Sequence, residues 1–397
     1  MITVDDVAFL RSRHGIKALE YAAGLALAPD TLIADVAELR TRYGTRAPAL
    51  AETVHSRRRA VGRLREAQNW LLTEEALQQA TTQVVAAHRA AEIARRFPGA
   101  VVHDVTCSVG AELVELAHTG GIGGVIGSDL DPVRLAMADH NATGMTLLRA
   151  DALTPTSTAD VLLADPARRK GGNRTFRLGD FSPPLIDVLT TYAGRPLAVK
   201  TAPGIDYGTL RAKYGFDGQV QVTSLDGGVR EACLWTELRD GINQRATVLR
   251  IVDSKLRVEE ITDAESDDVA VGAPGSWIID PDGAIVRAGL VRHWAARHGL
   301  WQLDPKIAYL TGDAVPPGVR GFAVLEQVPM KEKALRKALA ARDCGSLEIL
   351  VRGVDVDPDE LRKRLRLKGG APLSLVITRI GARGVAFICE PGWRQPG

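Results

Sequence analysis

The sequence predicts an α/β protein in four parts: a helical segment (1–98), a doubly wound sheet of seven strands (99–240), a connecting extension of that sheet (241–320) and a small α+β segment (321–397). Three observations predict it. Apolar residues recur at helical spacing through the first part, short β-rich runs then alternate with helical ones, and the tail follows the order β-α-β-α-β-β.

In the first part, Leu32, Ile33, Val36, Leu39 and Tyr43 form one helical stripe, and Leu77, Thr81, Val84, Val85, His88 and Ala91 form another, before Phe97, Pro98 and Gly99 break the pattern. Four or five helical elements are expected. Between the stripes, HSRRRAVGRLRE sets Arg57, Arg58, Arg59, Arg63 and Arg65 within about two and a half turns, as a solvated basic face or a surface for RNA. The runs VVHDV, GGVIGSD, TLLRAD, ADVLLAD and RPLAVKT then alternate with helical or linking segments, as in a parallel sheet covered on both faces. GQVQVTSL and EACLWTEL follow each other closely enough to be an antiparallel pair. In the third part, SWIIDPDGAIVRAGL reads as a strand, a turn at Pro281, Asp282 and Gly283, and a helix. The tail consists of FAVLEQVP, KEKALRKALAA, SLEILVRG, DPDELRKRL, PLSLVITRI and GVAFICE.

With 397 residues, 45% hydrophobic and 25% charged, the chain can build two or three domains with real cores. Cys107, Cys233, Cys344 and Cys389 are scattered and form no C-x-x-C pair, so neither a disulfide framework nor a zinc site is expected, and a reducing, cytoplasmic setting is. The opening MITVDDVAFL has acids where a signal peptide needs basic residues, and no apolar run approaches the roughly 20 residues of a membrane span. A soluble protein without a bound metal is expected. The net charge of +2 conceals an uneven distribution: 14 Lys/Arg against 11 Asp/Glu in 1–100, 13 against 17 in 101–240, 9 against 11 in 241–320, and 14 against 9 in 321–397. Basic ends around an acidic middle suit a catalytic centre flanked by polyanion-binding parts, and they equally suit ordinary surfaces.

In VVHDVTCSVGAELVELA the first strand ends at Asp104, a loop of small residues crosses over, and a helix begins near Glu112. Small residues let a ligand approach the backbone at the carboxyl end of a parallel sheet, beside a helix N-terminus. GVIGSDLDP then delivers Asp129, whose carboxylate can take both hydroxyls of a ribose, and LLRADAL offers Asp151 at the third strand end. One strand-terminal Asp is readily a cap or turn residue; three in register point to a nucleoside. The arrangement resembles the Rossmann-like class I methyltransferases that use S-adenosylmethionine, whose first motif, roughly D-x-F-x-G-x-G, stands here as Asp104, Thr106, Ser108 and Gly110. The resemblance implies S-adenosylmethionine as cofactor, with Asp104, Thr106, Cys107, Ser108 and Gly110 near its methionine part, Asp129 and Leu130 at the ribose, and Asp151 and Ala152 at the adenine. Ser108 replaces the first glycine, and it fits only if it avoids positive φ. A nicotinamide dinucleotide is the rival, because Asp129 falls 19 residues after Gly110, but no G-x-G-x-x-G follows the first strand.

The fourth strand ends in ADPARR, where the resemblance places the D/N-P-P-aromatic motif of amine-directed members. In that motif the first residue and the following carbonyl accept hydrogen bonds from the target amine, and the ring stacks on the base. Asp165 and Pro166 match; Ala167 and Arg168 replace the second proline and the ring, and a guanidinium plane also stacks on a base. This makes Asp165, Pro166 and Arg168 the catalytic candidates and nitrogen the target. No cysteine stands in the motif for a carbon-directed nucleophile, and Cys107 reads as a buried small residue of the cofactor loop. Arg168, Arg169, Lys170, Arg174 and Arg177 follow with no acid before Asp180, as a solvated loop or as contacts to substrate phosphates. Lys200 in VKTAPGID, near Asp206, is a further substrate candidate or the partner of an acid. No G-x-x-x-x-G-K-[ST] occurs, so a P-loop is excluded.

The tail segment DELRKRLRLKGG puts Arg362, Lys363, Arg364, Arg366 and Lys368 on a short helix and its exit, with Leu361 and Leu365 on the buried side and Gly369 and Gly370 ending it. Those cations suit RNA, and they equally suit the helix dipole. Helical prefix, ADPARR core and tail together look like a bacterial family of methyltransferase-like proteins with a C-terminal THUMP-like domain; THUMP domains bind structured RNA. The core is also similar to trimethylguanosine synthases, though their S-P-P-W motif is absent. The resemblance implies a cytoplasmic methyltransferase acting on a base nitrogen in RNA. The alternatives are a non-catalytic RNA-binding protein that keeps the fold and a small-molecule methyltransferase.

Overall fold

Short polar residues punctuate the helical segment. Thr3 forms a capping box with Asp6 at the start of α1 (Val4–Arg11), Ser12 caps α2 (Arg13–Ala23), and Thr73 caps α5 (Glu74–Gln79), each accepting a backbone N–H that the helix leaves unpaired. With α3 (Leu32–Tyr43), α4 (Ala47–Ala60) and α6 (Gln83–Arg96), this makes six α-helices among the described residues where four or five were expected. The computed structural model describes residues 2–167, 169–170, 173–174, 178–238 and 240–395. The stripe from Leu77 to Ala91 is not one helix: Ala80 is extended and the chain restarts at α6. On α3 only Leu39 of the first stripe is fully buried, while Ile33 is 88% exposed.

The arginines of the basic run are engaged with neighbouring elements of the fold. Arg57 donates to Trp70 O, Arg58 to the carbonyls of Ala23 and Leu25, and Arg63 to Leu77 O; Arg59 pairs with Glu74, and Arg65 grips Glu115 with two hydrogen bonds of 3.1 and 2.8 Å. Carbonyls past a helix end need donors, and guanidinium forks supply them. The run is accounted for without RNA.

Contacts cluster the chain into two compact units, Met1–Gly218 with Ala232–Leu238 and Gln219–Glu231 with Arg239–Gly397. In the first unit, β1 (Val101–Asp104), β2 (Gly124–Asp129), β3 (Thr146–Arg149) and β4 (Val161–Ala164) are joined by α7 (Ala111–His118) and α8 (Pro132–Asn141). After β4 come two-residue strands β5 (Arg169–Lys170) and β6 (Asn173–Arg174), α9 (Leu185–Thr191), β7 (Leu197–Thr201) and α10 (Tyr207–Tyr214). β1 pairs in parallel with β2 and β4, β2 with β3, and β4 with β7. Strand order therefore reverses beside β1, the place where a doubly wound sheet opens a crevice at its carboxyl edge. One core joins Leu10, Leu39, Leu50 and Leu72 of the helical segment to Leu113 and Met137 of α7 and α8, so the prefix is part of this unit's interior.

All seven runs read as strands are strands. β8 (Gln219–Leu225) turns into β9 (Gly228–Trp235) through Asp226 and Gly227, both at positive φ (51° and 80°), as a two-residue hairpin turn matching the strand twist requires. Ala232–Trp235 belongs to the first unit, where it runs antiparallel to β7. In the second unit β8 pairs in parallel with β10 (Gln244–Val252), and β11 (Lys255–Thr262) folds back on β10. SWIIDPDG is β12 (Trp277–Asp280) and a turn, followed by α11 (Gly283–Arg287), α12 (Val291–Arg297), β13 (Trp301–Gln302) and β14 (Leu310–Gly312). The tail keeps its predicted order: β15 (Arg320–Pro329), α13 (Glu332–Ala340), β16 (Cys344–Val351), α14 (Pro358–Leu365), β17 (Ala371–Ile380) and β18 (Arg383–Cys389), with β19 (Trp393–Arg394) added on β15. Leu335, Leu339, Leu361 and Leu365 bury α13 and α14 against β16 to β18 in one core. No described helix is long and apolar enough to cross a membrane.

Candidate active site

The carboxyl edge of the first unit's sheet opens on a cavity of about 630 Å³. Asp104 and Asp129 end β1 and β2, Asp151 follows β3, Asp165 follows β4 and Lys200 lies in β7; all five line this cavity, as do Thr106, Cys107, Ser108, Leu130 and Ala152. Gly110 and Pro166 are not among the lining residues. Gly110 caps α7 at φ 90°, a left-handed backbone that favours glycine, while a Cβ there would meet that of Ala142 at an ordinary contact distance of 3.4 Å. Ser108 departs from expectation, since its φ is 49°, in the left-handed region. A hydrogen bond of 3.0 Å from its N–H to Asp129 Oδ2 offsets that strain.

Asp129 also accepts from Asp131 N at 2.9 Å, yet each carboxylate oxygen has a second lone pair, so the pair of oxygens can still take two hydroxyls. Asp151 accepts from Leu153 N, and the carbonyl of Ala152 is braced by the Tyr192 hydroxyl at 2.8 Å. Cys107 is buried, and burial raises its thiol pKa so that no thiolate forms near neutrality. Thr106 ties two loops together: its N–H donates to Asp104 Oδ1, and its hydroxyl accepts the N–H of Asp165 at 2.6 Å. Arg168 and Arg177 lie outside the described residues, as do the side chains of Arg169, Lys170 and Arg174. Ala167 and Ser182 both line the cavity and exchange backbone hydrogen bonds of 2.8 and 3.0 Å.

Lys200 pairs with Asp165 and lies 3.4 Å from Glu112, which is held in turn by Arg89. Burial would raise the Glu112 pKa, but Arg89 and Lys200 outweigh it and hold the carboxyl at about 2. Asp104 has no such partner. Burial lifts its pKa to about 8, with the nearby acids Glu112 and Asp165 adding to the rise and Lys200 opposing it. The folded protein therefore keeps a proton on Asp104 between about pH 4 and pH 8 that the unfolded chain releases, so folding stability falls as pH rises through that window. Asp104→Asn is expected to flatten this fall, read as a smaller drop in thermal midpoint from pH 5 to pH 8. Identical pH profiles for the two proteins would show that Asp104 does not hold the proton.

Glu112, Arg89 and Thr81 escaped the sequence reading. So did Glu75 and Arg134, which pair at 3.4 Å on the cavity lining, and Ser182, Pro183 and Pro184 on its rim. Among the described residues no cluster of His, Cys, Asp or Glu could hold a metal ion.

Two curated relatives, from Mycobacterium tuberculosis strains CDC 1551 / Oshkosh and ATCC 25618 / H37Rv, are each described as an uncharacterized S-adenosylmethionine-dependent methyltransferase. Each is 53% identical to this chain over 369 residues, covering 89% of this chain and 99% of the relative. The chain belongs to this S-adenosylmethionine-dependent methyltransferase family. A candidate methyltransferase from Porphyromonas gingivalis W83 shares the fold, with a TM-score of 0.71 at 20% identity over 97% of this chain and 98% of its own. Residues 319–391 of the methyltransferase match the THUMP domain-like family.

S-adenosylmethionine, the family's cofactor, supplies an electrophilic methyl group on a cationic sulfonium. The cavity of the methyltransferase fits it. Among the described residues, five carboxylates (Glu75, Glu112, Asp129, Asp151, Asp165), the protonated Asp104 and two cations (Arg134, Lys200) line the cavity, a balance that favours a sulfonium and an ammonium over the phosphates of a dinucleotide.

Proposed function

We propose that the methyltransferase modifies a base nitrogen in RNA. The observation that carries the reading is the bond from the Asp165 N–H to Thr106: it ties the loop after β4 to the loop after β1 on one cavity. In this reading Asp104, Thr106, Cys107, Ser108 and Gly110 hold the methionine part of the donor, Asp129 and Leu130 its ribose, and Asp151 and Ala152 its adenine. Asp165 accepts a hydrogen bond from the target amine, and the Pro166 carbonyl takes a second. Arg168 stacks on the base, while Arg169, Lys170, Arg174 and Arg177 meet flanking phosphates at the cavity rim. The hydrogen bonds to Asp165 and the Pro166 carbonyl would localise on nitrogen the lone pair that a base amine otherwise shares with its ring and align it for transfer; the N–CH3 bond forms as the S–CH3 bond of the donor breaks, and the proton of the methylated amine then leaves to water.

The RNA half of the reading is supported by the THUMP domain-like match and by cations of the tail. In α14, Arg362 and Lys363 pair with Asp359 and Glu360, and Arg364 lies 3.9 Å from Glu332. Arg366 and Lys368 at the helix exit are exposed and left for a polyanion. The deciding experiment compares modified nucleosides in RNA from cells with and without the protein, then supplies the RNA lacking the mark to purified protein and labelled S-adenosylmethionine. One methylated nucleoside should disappear in vivo and be restored in vitro. Donor binding without transfer to RNA, and without salt-dependent RNA affinity, would replace this reading with a small-molecule acceptor.

A further inference from the structure

Asp165 is held from two sides. Thr106 fixes its backbone N–H, and the Lys200 ammonium donates to its Oδ2, leaving Oδ1 for an acceptor. Lys200 is itself clamped. Its side chain is 7% exposed, it donates to the Thr81 hydroxyl, and it lies 3.4 Å from Glu112 Oε1, which Arg89 holds from the other side. With the Thr81 hydroxyl, Asp165 and Glu112 all around one buried ammonium, the cluster has little freedom to rearrange.

We infer that Lys200 is a positioning residue for the acceptor: it fixes the Asp165 carboxylate in the pose that receives the target amine, and Thr81, in the break between α5 and α6, fixes Lys200. This rests on the reading of Asp165 as the group facing the acceptor. Charge and reach single out Asp165. Asp104, which holds its proton up to about pH 8, shares this floor with Glu112, Asp165, Lys200 and Arg89, and without Lys200 the two carboxylates would face the one cation of Arg89 among the described residues. Asp104 and Glu112 are buried, whereas the Asp165 side chain is 29% exposed, so Asp165 is the one free to swing toward water. A displacement of about 1 Å at a group that orients a reactant lowers a rate by about 10²-fold. The helical segment thereby reaches the reaction centre through Thr81 rather than serving only as packing.

The test uses the full chain, S-adenosylmethionine, and total RNA from cells lacking the protein. Lys200→Met is expected to lower kcat by about 10²-fold while donor affinity by calorimetry stays within about threefold. Lys200→Arg is expected to recover part of the loss, and Thr81→Val, which keeps the side-chain volume, to lower kcat less. Thr81→Val carries the test alone if Lys200→Met does not fold. An unchanged kcat, or donor affinity falling in step with kcat across the variants, overturns the proposal in favour of a structural ion pair. If the wild-type protein labels no RNA, the RNA reading fails, and the ¹⁵N-lysine spectrum decides this one. An ammonium signal lost in Lys200→Met and shifted in both Asp165→Asn and Thr81→Val supports the clamp, and a signal indifferent to both removes it.

Discussion

Replacing Asp165 with alanine is expected to lower methyl transfer by about 10²–10³-fold while leaving donor affinity within a few-fold of wild type. In the proposed reading the carboxylate aligns the lone pair of the acceptor with the methyl group; Lys200 donates to it, and Thr106 accepts the N–H of the same residue. Alanine removes the acceptor oxygen but keeps the N–H that Thr106 accepts, so the cofactor loop stays tied. Asparagine is the informative intermediate: it keeps one carbonyl oxygen for the amine and forfeits the charge that Lys200 pairs with, so its loss should be smaller than that of alanine. Single-turnover transfer of a labelled methyl group, measured beside donor calorimetry, separates the two halves. A loss of donor binding as large as the loss of rate would move Asp165 from the acceptor to the cofactor.

Asp129→Ala is expected to do the reverse and weaken donor binding by about 10²-fold or more. Two hydrogen bonds from ribose hydroxyls to a charged group contribute roughly 1.5–3 kcal/mol each, and 1.4 kcal/mol is a factor of ten. A second loss comes from within the protein. Asp129 holds the N–H of Ser108, a residue at φ 49°, and without that bond the cofactor loop is free to leave the left-handed conformation. Calorimetry should show weaker affinity and a less favourable enthalpy, and an affinity within threefold of wild type would sink the ribose assignment. Asp129→Asn, which can still accept from Ser108, should recover the loop but not the full charge-assisted bonds.

Much of this site was legible because it is written at strand ends. Asp104, Asp129, Asp151 and Asp165 each close an apolar run, and a parallel sheet brings such ends to one edge whatever the details of packing. What was not legible depends on distance in sequence or on backbone angles. Thr81 looked like one more position of a helical stripe; nothing local announces that α5 stops before it, or that its hydroxyl meets a lysine 119 positions away. Glu112 and Arg89 sit on α7 and α6 with the residue types of a solvated helix face, and only burial turns them into counter-ions. Ser108 was expected to avoid positive φ because its own chemistry disfavours it, but a partner 21 positions on compensates. The cluster from Arg57 to Arg65 shows the same limit: its density is visible in sequence, whereas the carbonyls it satisfies are not.

The path of the chain between the two compact units decides how the protein can be dissected. It changes unit at Gly218/Gln219, again at Glu231/Ala232, and a third time at Leu238/Arg239. Truncating the chain after residue 238 would leave β8 without its parallel neighbour β10, exposing a hydrogen-bonding edge made of buried residues. Removing the tail alone (321–397) would strip β15 from β12, so a truncation that asks whether the tail recognises RNA reports on misfolding as much as on recognition. Charge reversal at Arg366 and Lys368 in the intact chain asks the same question without opening a sheet.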